Sequence, residues 1–98
     1  MMIQLIDKHL NLVKDILKVE ISTQKIYVFG SRATNKAQKF SDLDLCIEGE
    51  KISFEKMLQL KNDFSESDLP YFVDIVQKVN LSEDFYNIIK QEFIELKM

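Results

Sequence analysis

The sequence predicts an α+β fold with α/β-type alternation: a three-stranded mixed sheet flanked by helices, in the order α-β-α-β-α-β-α. Three observations predict it. Apolar residues recur at alternating steps of three and four through residues 2–19, the period of an amphipathic helix. Asp42–Glu48, DLDLCIE, alternates strictly between polar and apolar, the period of a strand. The apolar run Tyr71–Gln77 follows the chain's single proline, Pro70, and lies between two further helical stripes. At 98 residues the chain is expected to form one domain over 1–98.

The elements follow in order. Ile3, Ile6, Leu10, Val13 and Leu17 form the first stripe, and Leu5, Leu12 and Ile16 widen it. Ser22, Thr23 and Gln24 break the pattern. Lys25–Phe29, KIYVF, reads as a strand that Gly30 ends. Residues 31–40 are polar with little β character, so a short helix and a loop are expected. In Asp42–Glu48, Leu43, Leu45 and Ile47 share one face and Asp42, Asp44, Cys46 and Glu48 the other. Ser53 caps a helix reaching about Glu66, with Phe54, Met57, Leu58, Lys61 and Phe64 inward. In the third strand Phe72, Asp74 and Val76 share a face, opposite Val73 and Ile75. Ser82 caps the last helix, where Glu83 and Asp84 suit the positive end of the helix dipole. Its core face is Phe85, Ile88, Ile89, Phe93 and Leu96. Tyr71 and Phe72 are also expected in core or capping positions.

Composition narrows the function. Hydrophobic residues are 46% of the chain and charged residues 30%, a balance that favours a packed core over disorder. The net charge of −3 argues against broad electrostatic capture of nucleic acid. The one cysteine, Cys46, has no partner for an internal disulfide, and no Cys/His cluster suits zinc. With no signal-peptide core and no apolar run of membrane length, a cytoplasmic location and no membrane partner are expected.

Three features carry chemistry. Gly30-Ser31 stands at a strand end, where a glycine lets the backbone approach a ligand and a helix starting just after it directs N–H groups at phosphate. Asp42 and Asp44 point to one face of a strand with Cα atoms about 6.5–7 Å apart, so their carboxylates can share hard cations such as Mg²⁺. Asp74 interrupts an apolar run, and an aspartate there is costly unless paired or metal-bound. On a neighbouring strand it would join the pair, and three carboxylates can hold two metals about 3.5–4 Å apart for an in-line displacement. His9, the only histidine, reads as structural.

Gly30-Ser31, ten intervening residues, and then Asp42-Leu43-Asp44 resemble the signature of the DNA polymerase β-type nucleotidyltransferase superfamily. The wording GSRA…SDLDL resembles its minimal nucleotidyltransferase (MNT) branch, and VDIV resembles the strand with the third carboxylate. The resemblance spans Lys25 to Leu96. It implies a nucleotidyltransferase fold, phosphate contacts from Gly30 and Ser31, and Mg²⁺ held by Asp42 and Asp44. Asp74 would assist the metal and activate the acceptor, and Arg32 would touch phosphate. Thr34-Asn35 stands where many relatives have Arg-Gly; Asn tolerates left-handed dihedrals better than most residues, so the loop is expected to survive. The resemblance further implies an antitoxin that moves AMP from ATP to a tyrosine hydroxyl of a HEPN ribonuclease toxin, without a nucleic-acid template. Two alternatives stay open: neutralisation by binding alone with a vestigial site, and transfer to a small-molecule acceptor.

Overall fold

The computed structural model describes residues 2–21 and 23–98; Ser22, expected in the break after the first helix, lies outside them. The elements are α1 (Asp7–Glu20), β1 (Lys25–Phe29), β2 (Leu43–Glu48), α2 (Phe54–Ser65), β3 (Val73–Gln77), α3 (Glu83–Ile89) and β4 (Ile94–Glu95). Three-residue 3₁₀ turns cover Gly30–Arg32, Lys78–Asn80 and Lys90–Glu92. The sheet order is β3-β2-β1-β4. β1 runs antiparallel to both β2 and β4, whereas β2 and β3, joined through α2, are parallel. The mixed sheet and flanking helices are those expected, and among the described residues no helix is long and apolar enough to cross a membrane.

Alternation along the strands builds two unequal cores. Ile26, Val28, Leu43, Leu45, Ile47 and Ile75 face one side, where Val13 and Leu17 of α1 and Leu60 and Phe64 of α2 cover them. The opposite face carries a smaller cluster of Phe29, Cys46 and Ile89, flanked by Val76, Tyr86 and Phe93. Cys46 is a free, buried thiol there, acting as a small apolar residue. Both serine caps form: Ser53 Oγ accepts from Lys56 N–H and Ser82 Oγ from Phe85 N–H, each at 3.2 Å.

Five expectations are corrected. The sheet has four strands, not three: the chain turns at Lys90–Glu92, and Ile94–Glu95 pairs with Val28 and Tyr27. Leu96 N–H then donates to Ile26 O at 2.8 Å, so the last apolar residues complete the sheet instead of a helix face. The expected helix in 31–40 is only the Gly30–Arg32 turn and a loop, because Asn35 takes φ +60 and the carbonyls of Gln38, Lys39 and Ser41 are bonded to Arg32. The first helix starts at Asp7; Gln4 ahead of it gives its N–H to Arg32 O at 2.7 Å and its side-chain amide to both backbone groups of Ala37. On α2 the inward stripe is Met57, Leu60 and Phe64, a rotation that leaves Phe54, Leu58 and Lys61 exposed. Phe72, expected inside, is 81% exposed.

Candidate active site

The end of the sheet where β1 finishes and β2 and β3 begin gathers the residues singled out above. Antiparallel pairing sets Phe29 opposite Asp44, so the turn after Phe29 falls beside that aspartate. Parallel pairing sets Asp44 opposite Asp74. Order in space is therefore phosphate-type turn, aspartate pair, third aspartate, carried by β1, β2 and β3 in succession.

Gly30 is required here twice over. Its φ of +74 lies in the left-handed region, and a Cβ at this position would collide with Asp44 Oδ2. The turn is locked by its own backbone: Ala33 and Thr34 N–H groups reach Gly30 O at 3.0 and 3.2 Å, and the Thr34 hydroxyl donates to the same oxygen at 3.0 Å. Lys36 N–H bonds Ser31 O at 3.0 Å. Asn35 supplies the left-handed residue that follows, so the departure at Thr34-Asn35 leaves the loop intact. Ser31 is half-buried in the first turn of this 3₁₀ segment, where leading N–H groups lack intrahelical partners.

The aspartates differ in setting. Asp42 and Asp74 are exposed and Asp44 is half-buried between them. β3 is an edge strand, so Asp74 meets solvent and does not bear the burial cost expected of it. Asp44 is the strained carboxyl. Burial, then the charges of Asp74, Asp42 and Glu92, push it from the ordinary 3.8 up to about 6. Glu92 escaped the sequence reading. Its Oε1 accepts the Gly30 N–H at 3.0 Å from 62 residues away. The neighbouring Phe93 holds it there by stacking on Tyr27, with centroids 4.8 Å apart. No local pattern around Glu92 announces this contact, which depends on the return of the chain into β4.

Arg32, expected at phosphate, faces away from that task. It is buried, its guanidinium bonds to backbone carbonyls, and it lies 4.0 Å over the Tyr71 ring. Beside Asp74 opens a groove of about 610 Å³, lined among others by Lys61, Phe64, Leu69, Tyr71 and Phe72. His9 bonds Tyr71 OH through Nδ1 at 3.1 Å, the structural role expected.

The donor set suits a hard divalent cation. Three carboxylates crowd one sheet end, and Asp44 bears a like-charge penalty that a cation would relieve. Among the described residues, no group of three His, Cys, Asp or Glu side chains is arranged to hold a metal ion by itself. Asp42 and Asp44 could hold such a cation only together with oxygen donors brought by a ligand, which is how Mg²⁺ is usually bound beside phosphates.

A glycine-serine turn seated against facing aspartates, on a mixed sheet with helices, defines a nucleotidyltransferase domain. The family model described as Polymerase beta, Nucleotidyltransferase matches residues 11–96. Probable protein adenylyltransferase MntA of Haemophilus influenzae is 41% identical over 91 residues, which cover 92% of this chain and 80% of that protein. A crystal structure of a toxin-antitoxin with AMP-PNP contains a chain of the same fold, with TM-score 0.74 and 21% identity over 90% of this chain and 72% of that one. The chain belongs to the polymerase β nucleotidyltransferase family, in its minimal nucleotidyltransferase branch.

Proposed function

We propose that this chain is the antitoxin of a toxin–antitoxin pair and that it transfers AMP from ATP to a tyrosine hydroxyl of its partner, a HEPN-domain ribonuclease. The observation that carries the enzymatic part is the seat of Gly30-Ser31 against Asp44, with Asp74 directly opposite on the next strand. The 41% identity to a protein named as an adenylyltransferase supports AMP as the group transferred. A fold shared with a toxin-antitoxin that holds a nucleotide analogue is consistent with the partner class.

Roles follow from position. The Gly30-Ser31 turn receives the nucleotide phosphates with the Ser31 N–H and hydroxyl, since the Gly30 N–H is already given to Glu92. Asp42 and Asp44, with Asp74 assisting, would hold Mg²⁺, which when bound neutralises charge on the triphosphate. The tyrosine enters over the β3 edge, along the groove beside Phe72, because β1 and the turn occupy the other flank. Asp74, exposed at that edge, accepts the phenolic proton. The phenolic oxygen bonds to the α-phosphorus as the bond to the bridging oxygen breaks, and pyrophosphate leaves. The docked partner supplies the positioning that a small domain cannot supply alone.

The test pairs the chain with its proposed HEPN-domain partner, in Mg²⁺ and ATP labelled at the α-phosphate. AMP should appear on a partner tyrosine by mass spectrometry. Asp74→Asn should still dock and should transfer little, since docking draws on a wider surface. A partner that is neutralised yet unmodified, equally by Asp74→Asn, would establish the binding-only antitoxin instead.

A further inference from the structure

Arg32 alone among the described polar and charged residues is buried. A buried guanidinium needs partners for its donors, and it finds them in two separate segments, with an aromatic ring of a third beneath its plane. Nη1 donates to Gln4 O at 2.9 Å in the segment before α1. Nε and Nη2 donate to Ser41 O at 3.0 and 2.9 Å, and Nη2 also reaches Lys39 O at 3.3 Å and Gln38 O at 3.4 Å. The plane of the group rests on the Tyr71 ring at 4.0 Å. Tyr71 is in turn held by His9 of α1.

These contacts lie at the roots of the site. Arg32 directly follows Ser31, Ser41 directly precedes Asp42, and Tyr71 stands three residues ahead of Asp74. A further bond, Leu43 N–H to Phe72 O at 2.9 Å, ties the starts of β2 and β3. We propose that Arg32 is a positioning residue: one buried guanidinium fixes the spacing between the Gly30-Ser31 turn, the Asp42/Asp44 pair and Asp74. This rests on the reading of those carboxylates as the cation-binding group. Lysine cannot replace it, since an ammonium has no plane to lie on Tyr71 and no fork to span separate carbonyls. A guanidinium committed in this way is not available to phosphate.

Two variants test the proposal, Arg32→Lys and Tyr71→Leu. The second keeps every carbonyl bond of Arg32 and removes the ring beneath it together with the hydroxyl bond to His9, so it serves if the first does not fold. Tyr71→Phe retains the ring and is expected to match the parent. Amide exchange should quicken at residues 39–44 and 72–74 in both test variants. The Mg²⁺ concentration at which ATP binds, followed by calorimetry, should rise about tenfold, the usual scale for losing an outer support of a metal site. ATP binding in EDTA should be unchanged. A direct phosphate contact gives the opposite pattern: ATP binding in EDTA weakens for Arg32→Lys, while exchange at 72–74 and the Mg²⁺ requirement stay as in the parent. That pattern overturns the proposal. If the parent itself binds no ATP with Mg²⁺, the reading of the site fails, and exchange alone decides on Arg32. Faster exchange at 72–74 in Tyr71→Leu then supports it, and an unchanged rate overturns it.

Discussion

At the scale of single residues, Gly30 and Asp44 are one feature. The turn comes so close to the carboxylate that a Cβ at Gly30 would have to push Asp44 Oδ2 aside. Gly30→Ala meets both the collision and the left-handed backbone, so it should lose about 1–3 kcal/mol in urea unfolding and lose Mg²⁺-dependent ATP binding with it. Asp44 gives a sharper pH signature. Its folded pKa of about 6 lies above the ordinary 3.8, so the folded chain binds a proton more tightly than the unfolded chain between those values. Stability of the metal-free protein therefore falls as pH rises from about 4 through about 6 and stays lower above. Asp44→Asn removes the charge that causes this. In EDTA at pH 7.5 it should be more stable than the parent by about 1 kcal/mol, a figure reduced for the solvent reaching a half-exposed carboxyl. The difference should vanish near pH 4; a constant difference across that range would mean that burial and the neighbouring carboxylates do not raise the pKa of Asp44.

At the scale of elements, what was legible depended on length and alternation. Asp42–Glu48 revealed itself because six consecutive positions of β2 obey one period, and its two aspartates came with it. Ser53 and Ser82 were legible because a cap is a local bond between neighbours in sequence. β4 was not, since two residues cannot show a period, and Phe93 and Leu96 fitted a helical stripe as well as they fit the sheet. Glu92 was lost with it, because its contact with Gly30 exists only once that return is made. Arg32 was legible as a site neighbour but not as a buried anchor, since its partners are backbone carbonyls that have no sequence signature. The orientation of α2 was ambiguous for a related reason: Leu58 and Leu60 are equally apolar, and only packing against α1 chooses between them. Leu60 is fully buried and Leu58 is 52% exposed. Leu60→Ala should cost about 2–5 kcal/mol by urea denaturation, and Leu58→Ala no more than about 0.5 kcal/mol. Equal costs would contradict the orientation of the helix.

At the scale of the whole molecule, the chain is a compact body with a radius of gyration of 12.7 Å, and its site straddles three neighbouring strands of one sheet. A ligand that bridges those strands must therefore report on global unfolding. Neither half of the ligand should do so alone. ATP without a cation brings more negative charge to a chain of net −3 whose site already crowds carboxylates. A cation without nucleotide finds an open arc of carboxylates and no cage. On the proposed function the two would complete each other: phosphate oxygens would add donors for the cation, and the cation would offset the repulsion. At a concentration about a hundred times Kd, binding to the folded state alone adds about 2.7 kcal/mol. For a domain near this size each kcal/mol raises the melting temperature by about 4–8 °C, so Mg²⁺ and ATP in combination should raise it by at least about 10 °C. Mg²⁺ alone or ATP in EDTA should move it little, and Asp44→Asn should abolish most of the joint effect. A melting shift with ATP in EDTA as large as with Mg²⁺ would place the nucleotide somewhere other than against these aspartates.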